Sequence, residues 1–233
     1  MSELLAALRA ANPGREILDV RDPAFATYGK AWDHIQVPQM REYIYQQTTM
    51  PEVGDEYYEP SCPALMEMDE AVQFTQFAYG EVPCQVGYYN GWAGTLDALE
   101  YHKCSETLVE FEPVVLILGH IWDIRDDTVS SDDLKLFFVP SDQCVELYAT
   151  TLHFSPLRAT DRGVRQIVCQ TATTNTPLHH PELTNTEGEN RYLYERNKWV
   201  LIHPEAAGKF RPEAFQGITG ENIAVVPVEG TAE

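Results

Sequence analysis

The amino-acid sequence predicts an all-β protein of the jelly-roll or barrel kind, preceded by a short helix. From Cys84 onward, short runs of β-prone residues alternate with turn residues at short intervals, as in sandwiches and barrels. One run, Val114–Leu118, is apolar throughout, which is typical of a fully buried strand. The chain has 233 residues, 44% of them hydrophobic, so it can form a sizeable core. We expect a single domain in which residues 1–83 decorate a barrel core at residues 84–226.

The N-terminal part of the chain begins with a short predicted helix. Leu4, Leu5 and Leu8 share one face of an amphipathic helix over residues 2–11, which the following Asn-Pro-Gly sequence ends. Beyond it we expect a strand at 17–20, a connector at 29–36, a helical or extended segment at 38–49, a polar loop at 50–63, and a segment at 69–78 that matches helix and strand equally.

The predicted strands of the barrel core follow from the alternation of apolar runs and turn signals. Asn90-Gly91 is expected to form a turn after the first of them, and the polar residues 171–190 a long loop or lid. The predicted strands are 85–89, 95–102, 107–110, 114–118, 134–139, 145–148, 152–154, 164–170, 199–203 and 223–226.

The bulk composition excludes several classes of function. A formal net charge of −20 without a Lys/Arg cluster argues against nucleic acid and against an anionic membrane surface. The five cysteines contain no Cys-x-x-Cys pair, which fits reduced thiols. We see no signal peptide and no apolar stretch long enough to span a membrane. We therefore expect a cytoplasmic protein with a small-molecule ligand.

The segment from Gly87 to Gly119 contains the strongest functional signal. Glu100 and His102 are two residues apart in a predicted strand, so their side chains point to the same face. Glu106 follows a short break that can return its side chain toward them. Two carboxylates and an imidazole suit a divalent transition metal better than they suit a hydrophobic core.

A fourth ligand is expected from a later strand. The sequence Cys144–Pro156 places His153 at the end of a predicted strand, just before a Ser-Pro turn. With Glu100, His102 and Glu106 it forms a mixed nitrogen and oxygen ligand set. Such a set prefers manganese, iron, nickel or zinc and leaves room for water or substrate.

This pattern resembles the cupin superfamily. Gly94, Glu100, His102, Glu106 and Gly119 resemble the first cupin metal motif, in which a glycine precedes His-x-His, a Glu and a closing glycine. Glu100 stands where the first His of that motif usually stands, and the gap from Glu106 to Gly119 is longer than usual. The segment with His153 resembles the second cupin motif without its usual Pro-x-Gly.

The phrases VGYYNGWAGTLDALEYHKCSE, LYATTLHFSP and TTNTPL resemble an uncharacterised bacterial family related to cupins, found among carbohydrate-utilisation genes. The resemblance covers residues 29 to about 203. Among characterised cupins, the chain is similar to ureidoglycolate lyase. The resemblance implies a cupin-type double-stranded β-helix and a homodimer.

Four further residues are candidates for substrate binding. Tyr88 and Asn90 precede the metal motif and could line the mouth of the pocket. Arg158 could bind a substrate phosphate or carboxylate in a bidentate manner, or form an ordinary ion pair. Asn175 is either a turn residue or a contact of the predicted lid.

The ligand set and the resemblance together predict a metal-dependent enzyme for a small sugar or sugar acid. We expect isomerisation or epimerisation through an enediolate, with Glu100 or Glu106 as the proton carrier if it is not a permanent ligand. One alternative is a lyase of the ureidoglycolate type. Another is a non-enzymatic sugar-binding or regulatory cupin, although such a protein needs fewer ionisable groups.

Overall fold

The structure is a computed structural model that describes residues 2–184 and 186–230. The predicted first helix is present as α1 (Glu3–Ala11), and the Ser2 hydroxyl caps it by accepting from the amide of Leu5. None of the helices within the described ranges is long and apolar enough to cross a membrane. The other α-helices are α2 (Pro38–Gln47), α3 (Pro63–Met66) and α4 (Ala71–Gln73), the last continuing into a π-turn at Phe74–Ala78.

The strands account for most of the regular structure around the site. In chain order they are β1 (Ile17–Asp19), β2 (Gly29–Trp32), β3 (Glu56–Glu59), β4 (Cys84–Gly91), β5 (Ala98–Tyr101), β6 (Glu106–Glu110), β7 (Val114–His120), β8 (Val129–Ser130), β9 (Lys135–Val139), β10 (Gln143–Leu147), β11 (Thr151–Leu152), β12 (Leu157–Arg158), β13 (Val164–Thr171), β14 (Leu193–Glu195), β15 (Lys198–Ile202) and β16 (Ile218–Thr219).

Two large and mainly antiparallel sheets form the body of the protein. One has the order β1-β9-β7-β11, with β12 also paired to β7, and the other has the order β2-β10-β6-β13-β4-β3. A smaller sheet, β14-β15-β5, carries part of the site. This arrangement confirms the predicted all-β fold with short helices.

The hydrophobic core lies in layers that follow the alternation of side chains along the strands. Within β7, Val114, Leu116 and Leu118 pack between the two large sheets, whereas Val115 and Ile117 pack in the cluster that includes the leucines of α1. The outer face of the six-stranded sheet is covered by α2 and its neighbours. The predicted burial of β7 on both faces is therefore confirmed.

The N-terminal 83 residues contribute three strands to the two large sheets. β1 pairs with β9, β2 pairs with β10, and β3 pairs with β4, so this part of the chain supplies strands to both large sheets. The expected connector at 29–36 and the expected loop at 50–63 were therefore wrong in part. Both strands have only four residues, and long-range pairing rather than local pattern determines them.

Two other expectations also require correction. The Asn90-Gly91 pair does not form a turn, because β4 continues through both residues and pairs there with β3 and β13. Residues 223–226 do not form a strand, because their pairing is limited to a single bridge between Ala224 and Thr95. At Asn90-Gly91 the neighbouring strands override the local turn signal, whereas residues 223–226 have no partner strand among the described residues.

Candidate metal centre

Four buried side chains from three separate segments converge between the sheets. Glu100 lies in β5, His102 directly follows that strand, and Glu106 begins β6. His153 follows β11, and its backbone pairs with that of Glu100 through two hydrogen bonds. One ligand atom from each of the four side chains lies within 4.8 Å of the others. The residues predicted as metal ligands are thus brought together.

The distances identify Glu106 as the centre of this group. Its Oε2 lies 3.3 Å from Nε2 of His102, and its Oε1 lies 3.5 Å from Nε2 of His153. Glu100 is more peripheral, since its Oε1 lies 3.7 Å from Nε2 of His102. The two imidazole rings are 5.3 Å apart between centroids. These spacings leave room for one ion among the four side chains.

Both imidazoles are oriented by backbone carbonyl groups. Nδ1 of His102 lies 2.7 Å from the carbonyl oxygen of Asn197, and Nδ1 of His153 lies 2.9 Å from that of Thr151. Each Nδ1 therefore donates to a carbonyl oxygen, and each Nε2 is turned toward the centre. Nε2 of His153 is buried with no hydrogen-bond partner among the described residues. A metal ion would satisfy that atom, so the residues fit a divalent transition metal.

Gln170 connects the centre to the wall of the barrel. Its amide nitrogen donates to Oε2 of Glu106 and lies 3.1 Å from Nε2 of His102. Its amide oxygen accepts hydrogen bonds from the amide of Asn175 and the hydroxyl of Tyr58, at 3.0 and 3.2 Å. The two donors fix the orientation of the Gln170 amide. Gln170 in turn fixes the carboxylate of Glu106.

Lys198, in β15, forms an ion pair with Glu100 at the edge of the centre. Its Nζ lies 2.7 Å from Oε2 of Glu100, and both side chains are nearly buried. Burial alone would raise the pKa of Glu100, but Lys198 and the neighbouring imidazoles lower it to about 2. The imidazoles likewise hold the pKa of Glu106 well below its usual range despite burial.

The carboxylates of the centre, in turn, shift the pKa of His102 upward. Burial lowers its pKa, but the carboxylates of Glu100 and Glu106 outweigh burial and raise the pKa to about 10. The ion-free centre therefore favours a proton on the His102 imidazole. Because a metal ion needs the same lone pair on Nε2, metal binding would displace that proton.

The centre opens into a cavity of about 180 Å³. Both carboxylates, Glu100 and Glu106, reach its wall. Because the wall contains several hydroxyl, amide and charged groups, the cavity suits a small polar ligand. The other lining residues are Glu56, Tyr58, Tyr89, Phe154, Ser155, Gln166, Val168, Asn175 and Lys198.

Of the four predicted substrate-binding residues, Asn175 lies in the cavity wall. Its left-handed backbone (φ +58°), which asparagine tolerates, turns the chain after β13. Its amide nitrogen donates to both Gln170 and Tyr58, whereas its buried amide oxygen has no hydrogen-bond partner within the described residues. Asn175 is therefore both a support for Gln170 and a potential acceptor for a ligand.

The other three predicted substrate-binding residues do not line this cavity. Tyr88 points to the opposite face of β4, where its ring lies 5.7 Å from that of Tyr57. Asn90 is fully buried and donates from its amide to the hydroxyl of Thr48 at 2.8 Å. Arg158 lies over the ring of Trp92, 5.7 Å from its centroid. The expectation for Tyr88 and Asn90 fails because even-numbered residues of β4 face away from the centre.

Sequence reasoning missed Tyr58, Tyr89, Gln170 and Lys198. For Gln170 a signal existed, because Gln166, Val168 and Gln170 alternate along β13 and place two amides on one face. No comparable signal marks Lys198, since its contact with Glu100 depends on the pairing of β15 with β5.

The β fold and the buried cluster of two carboxylates and two imidazoles define an all-β protein with a candidate metal centre. The chain belongs to the family described as Domain of unknown function (DUF4867), which matches residues 17–223. Membership of a family without an assigned function agrees with the resemblance found in the sequence. A comparison with curated proteins found no match.

Two solved structures show a distant similarity. A serine-to-alanine mutant of Bacillus subtilis oxalate decarboxylase OxdC aligns with 55% of this chain at 9% identity and a TM-score of 0.32. The chain spans only 28% of the length of that protein. The non-heme α-ketoglutarate-dependent epimerase SnoN from nogalamycin biosynthesis aligns with 72% of this chain and 84% of its own, at 12% identity and a TM-score of 0.37. Similarity this weak leaves the chemistry to be inferred from the site itself.

Proposed function

We propose that the protein is a metal-dependent cupin enzyme that isomerises or epimerises a small sugar or sugar-acid derivative. The observation that carries this proposal is the orientation of the two imidazoles. Both turn Nε2 toward a buried carboxylate, and that of His153 has no hydrogen-bond partner among the described residues. An ion held between the imidazoles and the carboxylate would satisfy that atom.

His102, His153 and Glu106 are the residues that would hold the ion. Both oxygens of Glu106 contact an imidazole, so this carboxylate is bound into the centre on both sides. Two histidines and one carboxylate leave open positions for a ligand and suit manganese, iron, nickel or zinc. When bound, the ion would supply a positive charge that stabilises negative charge developing on substrate oxygens.

Of the two carboxylates, Glu100 is a better candidate for the proton carrier than Glu106. It reaches the cavity, lies further from the imidazoles than Glu106, and is held by Lys198 rather than by Gln170. Because Lys198 keeps the carboxylate ionised, Glu100 can accept a proton from a substrate carbon next to a carbonyl group. After the proton is transferred, the same oxygen can return it to the neighbouring carbon on the same face, which completes an isomerisation.

The cavity supports a polyhydroxylated substrate. Ser155, Tyr58, Tyr89 and Asn175 place hydroxyl and amide groups around a volume of about 180 Å³. Phe154 supplies an apolar surface against which a carbon skeleton can pack. Many hydrogen-bonding groups around a small volume favour a molecule with several hydroxyl groups over an apolar one.

The decisive experiment combines metal analysis with proton exchange. Untagged protein is analysed for manganese, iron, nickel and zinc, both as purified and after incubation with each ion. The loaded protein is then incubated in D₂O with a set of aldoses, ketoses and uronic acids, and NMR detects deuterium next to the carbonyl carbon. The variants are Glu100→Gln, His102→Ala and, as a surface control, His180→Ala.

We expect about one ion per chain, and deuterium incorporation that is lost in Glu100→Gln although that variant keeps its metal. The His102→Ala variant should lose both metal and exchange, and His180→Ala should lose neither. Absence of metal after all four incubations contradicts the proposal and favours a metal-free lyase or a binding protein. Release of a leaving group without deuterium incorporation favours the lyase alternative.

A further inference from the structure

Lys198 is the only basic side chain among the described residues that line the cavity. From its position we infer that the substrate is an anion, a sugar acid rather than a neutral sugar, and that its carboxylate binds the Lys198 ammonium group. This inference rests on the proposed function and specifies its substrate class.

The charges of the site favour an anion once an ion is bound. The two carboxylates, Glu100 and Glu106, balance the two positive charges of a divalent ion. Lys198 contacts Glu100 and adds one further positive charge, so Glu100, Glu106, Lys198 and a divalent ion together carry a net charge of +1. A third carboxylate, Glu56, lines the cavity from the edge strand β3, and its surroundings raise its pKa, chiefly through desolvation. A net positive charge in a nearly buried site favours an anionic ligand at Lys198.

The geometry of Lys198 also leaves donors for a ligand. An ammonium group has three N–H donors, and the contact of Nζ with Oε2 of Glu100 uses one of them. The ring of Phe154 lies 5.7 Å from Nζ and covers it on one side. The remaining donors can therefore reach a carboxylate in the cavity while Glu100 stays in place.

The test measures binding of matched pairs of ligands to zinc-loaded protein by isothermal titration calorimetry. Each pair differs by a carboxylate at one end: D-gluconate and D-glucitol, D-galactonate and galactitol, D-xylonate and xylitol. The variants are Lys198→Met, Lys198→Arg, which keeps the charge, and Lys103→Met. Lys103 is a matched control because it is exposed and pairs with Glu189 outside the cavity. Zinc content is measured first for each protein.

We expect at least one acid to bind about tenfold or more tightly than its polyol, which is the effect of a charge-assisted hydrogen bond. Lys103→Met should keep this preference and Lys198→Arg should keep part of it. Lys198→Met should lose the preference while it retains its zinc. Equal binding within every pair, no binding of any acid, or a preference that survives in Lys198→Met overturns the inference. Failure of the wild-type protein to hold any of zinc, manganese, iron and nickel overturns the proposed function itself.

Discussion

The amide nitrogen of His153 donates to the carbonyl oxygen of Glu100 at 2.9 Å, and the amide nitrogen of Glu100 donates back to the carbonyl oxygen of His153 at 2.5 Å. This reciprocal pairing places two candidate ligands that are far apart in sequence directly opposite each other. Antiparallel pairing of this kind brings the side chains of opposed residues onto the same face. The relative position of the two is therefore set by the backbone and not by a flexible loop.

Loss of either imidazole should abolish metal binding. His153→Ala and His102→Ala each remove a nitrogen ligand from a buried site in which the remaining ligands cannot take its place. We expect the metal content of both variants, measured by elemental analysis, to fall below about a tenth of the wild-type value. The exposed His180→Ala variant should retain the wild-type content. Retention of metal in both buried variants would show that the ion is held elsewhere.

Metal binding should stabilise the folded protein. Because the four side chains converge only in the folded chain, an ion that binds there shifts the unfolding equilibrium. At a free ion concentration of about 100 times Kd, the free energy of unfolding should rise by about 2.7 kcal/mol.

Thermal unfolding with zinc and with excess chelator measures this effect. The two melting temperatures should differ for the wild-type protein and coincide for His102→Ala. An equal shift in both proteins would point to non-specific binding of zinc.

Gln170 should tune the metal affinity without being a ligand. Its amide nitrogen orients Glu106, and Tyr58 and Asn175 hold its amide oxygen. Gln170→Leu has a similar volume but cannot donate to Glu106. Loss of such a supporting hydrogen bond costs about 10- to 100-fold in metal affinity.

A competition titration against a chromogenic zinc chelator reports the affinity of the Gln170→Leu variant. The exposed Gln46→Leu variant is the control, since Gln46 contacts Glu42 on the surface of α2. If the affinities of Gln170→Leu and wild type agree within twofold, Gln170 does not position the carboxylate.

The fold was predictable where a strand is long and apolar. β7 and β13 carry continuous apolar or alternating patterns, and the sequence located both. β2 and β3 were not predictable, because each has four residues, is partly exposed, and is held by a partner distant in sequence. The turn predicted at Asn90-Gly91 is wrong for the same reason, because both residues pair with β3 on one side and with β13 on the other.

The residues of the site were predictable where they lie close together in the sequence. The close spacing of Glu100, His102 and Glu106 marks them as a group, and the predicted strand before the Ser155-Pro156 turn adds His153, which the resemblance to cupins also indicates. The alternation of side chains along β13 marks Gln170, whereas Lys198 depends on how β15 pairs with β5, and no local pattern encodes that contact. The sequence of β4 does not show which of its two faces points into the site. For this reason the sequence predicts Tyr88, whereas Tyr89 lines the cavity.

A further buried carboxyl group, Glu110, should make the stability of the protein depend on pH. Glu110 is fully buried at the end of β6, where the side-chain amide of Gln166 faces its two oxygens. Burial, and then the nearby charge of Glu106, raises the pKa of Glu110 well above its usual value. The folded protein therefore keeps a proton that the unfolded chain releases above a pH of about 4.3.

Because the folded state binds this proton more tightly, its contribution to stability is complete below the unfolded pKa and decreases as the pH rises toward the folded pKa. Glu110→Gln removes the titration and retains a side chain of the same shape. We expect the free energy of unfolding of wild type, relative to Glu110→Gln, to fall by about 1.4 kcal/mol per pH unit in this window. Urea unfolding at pH 5, 6, 7 and 8 measures this difference. The exposed Glu67→Gln variant should follow the wild-type curve, and a constant difference between wild type and Glu110→Gln would mean that Glu110 is ionised in the folded protein throughout.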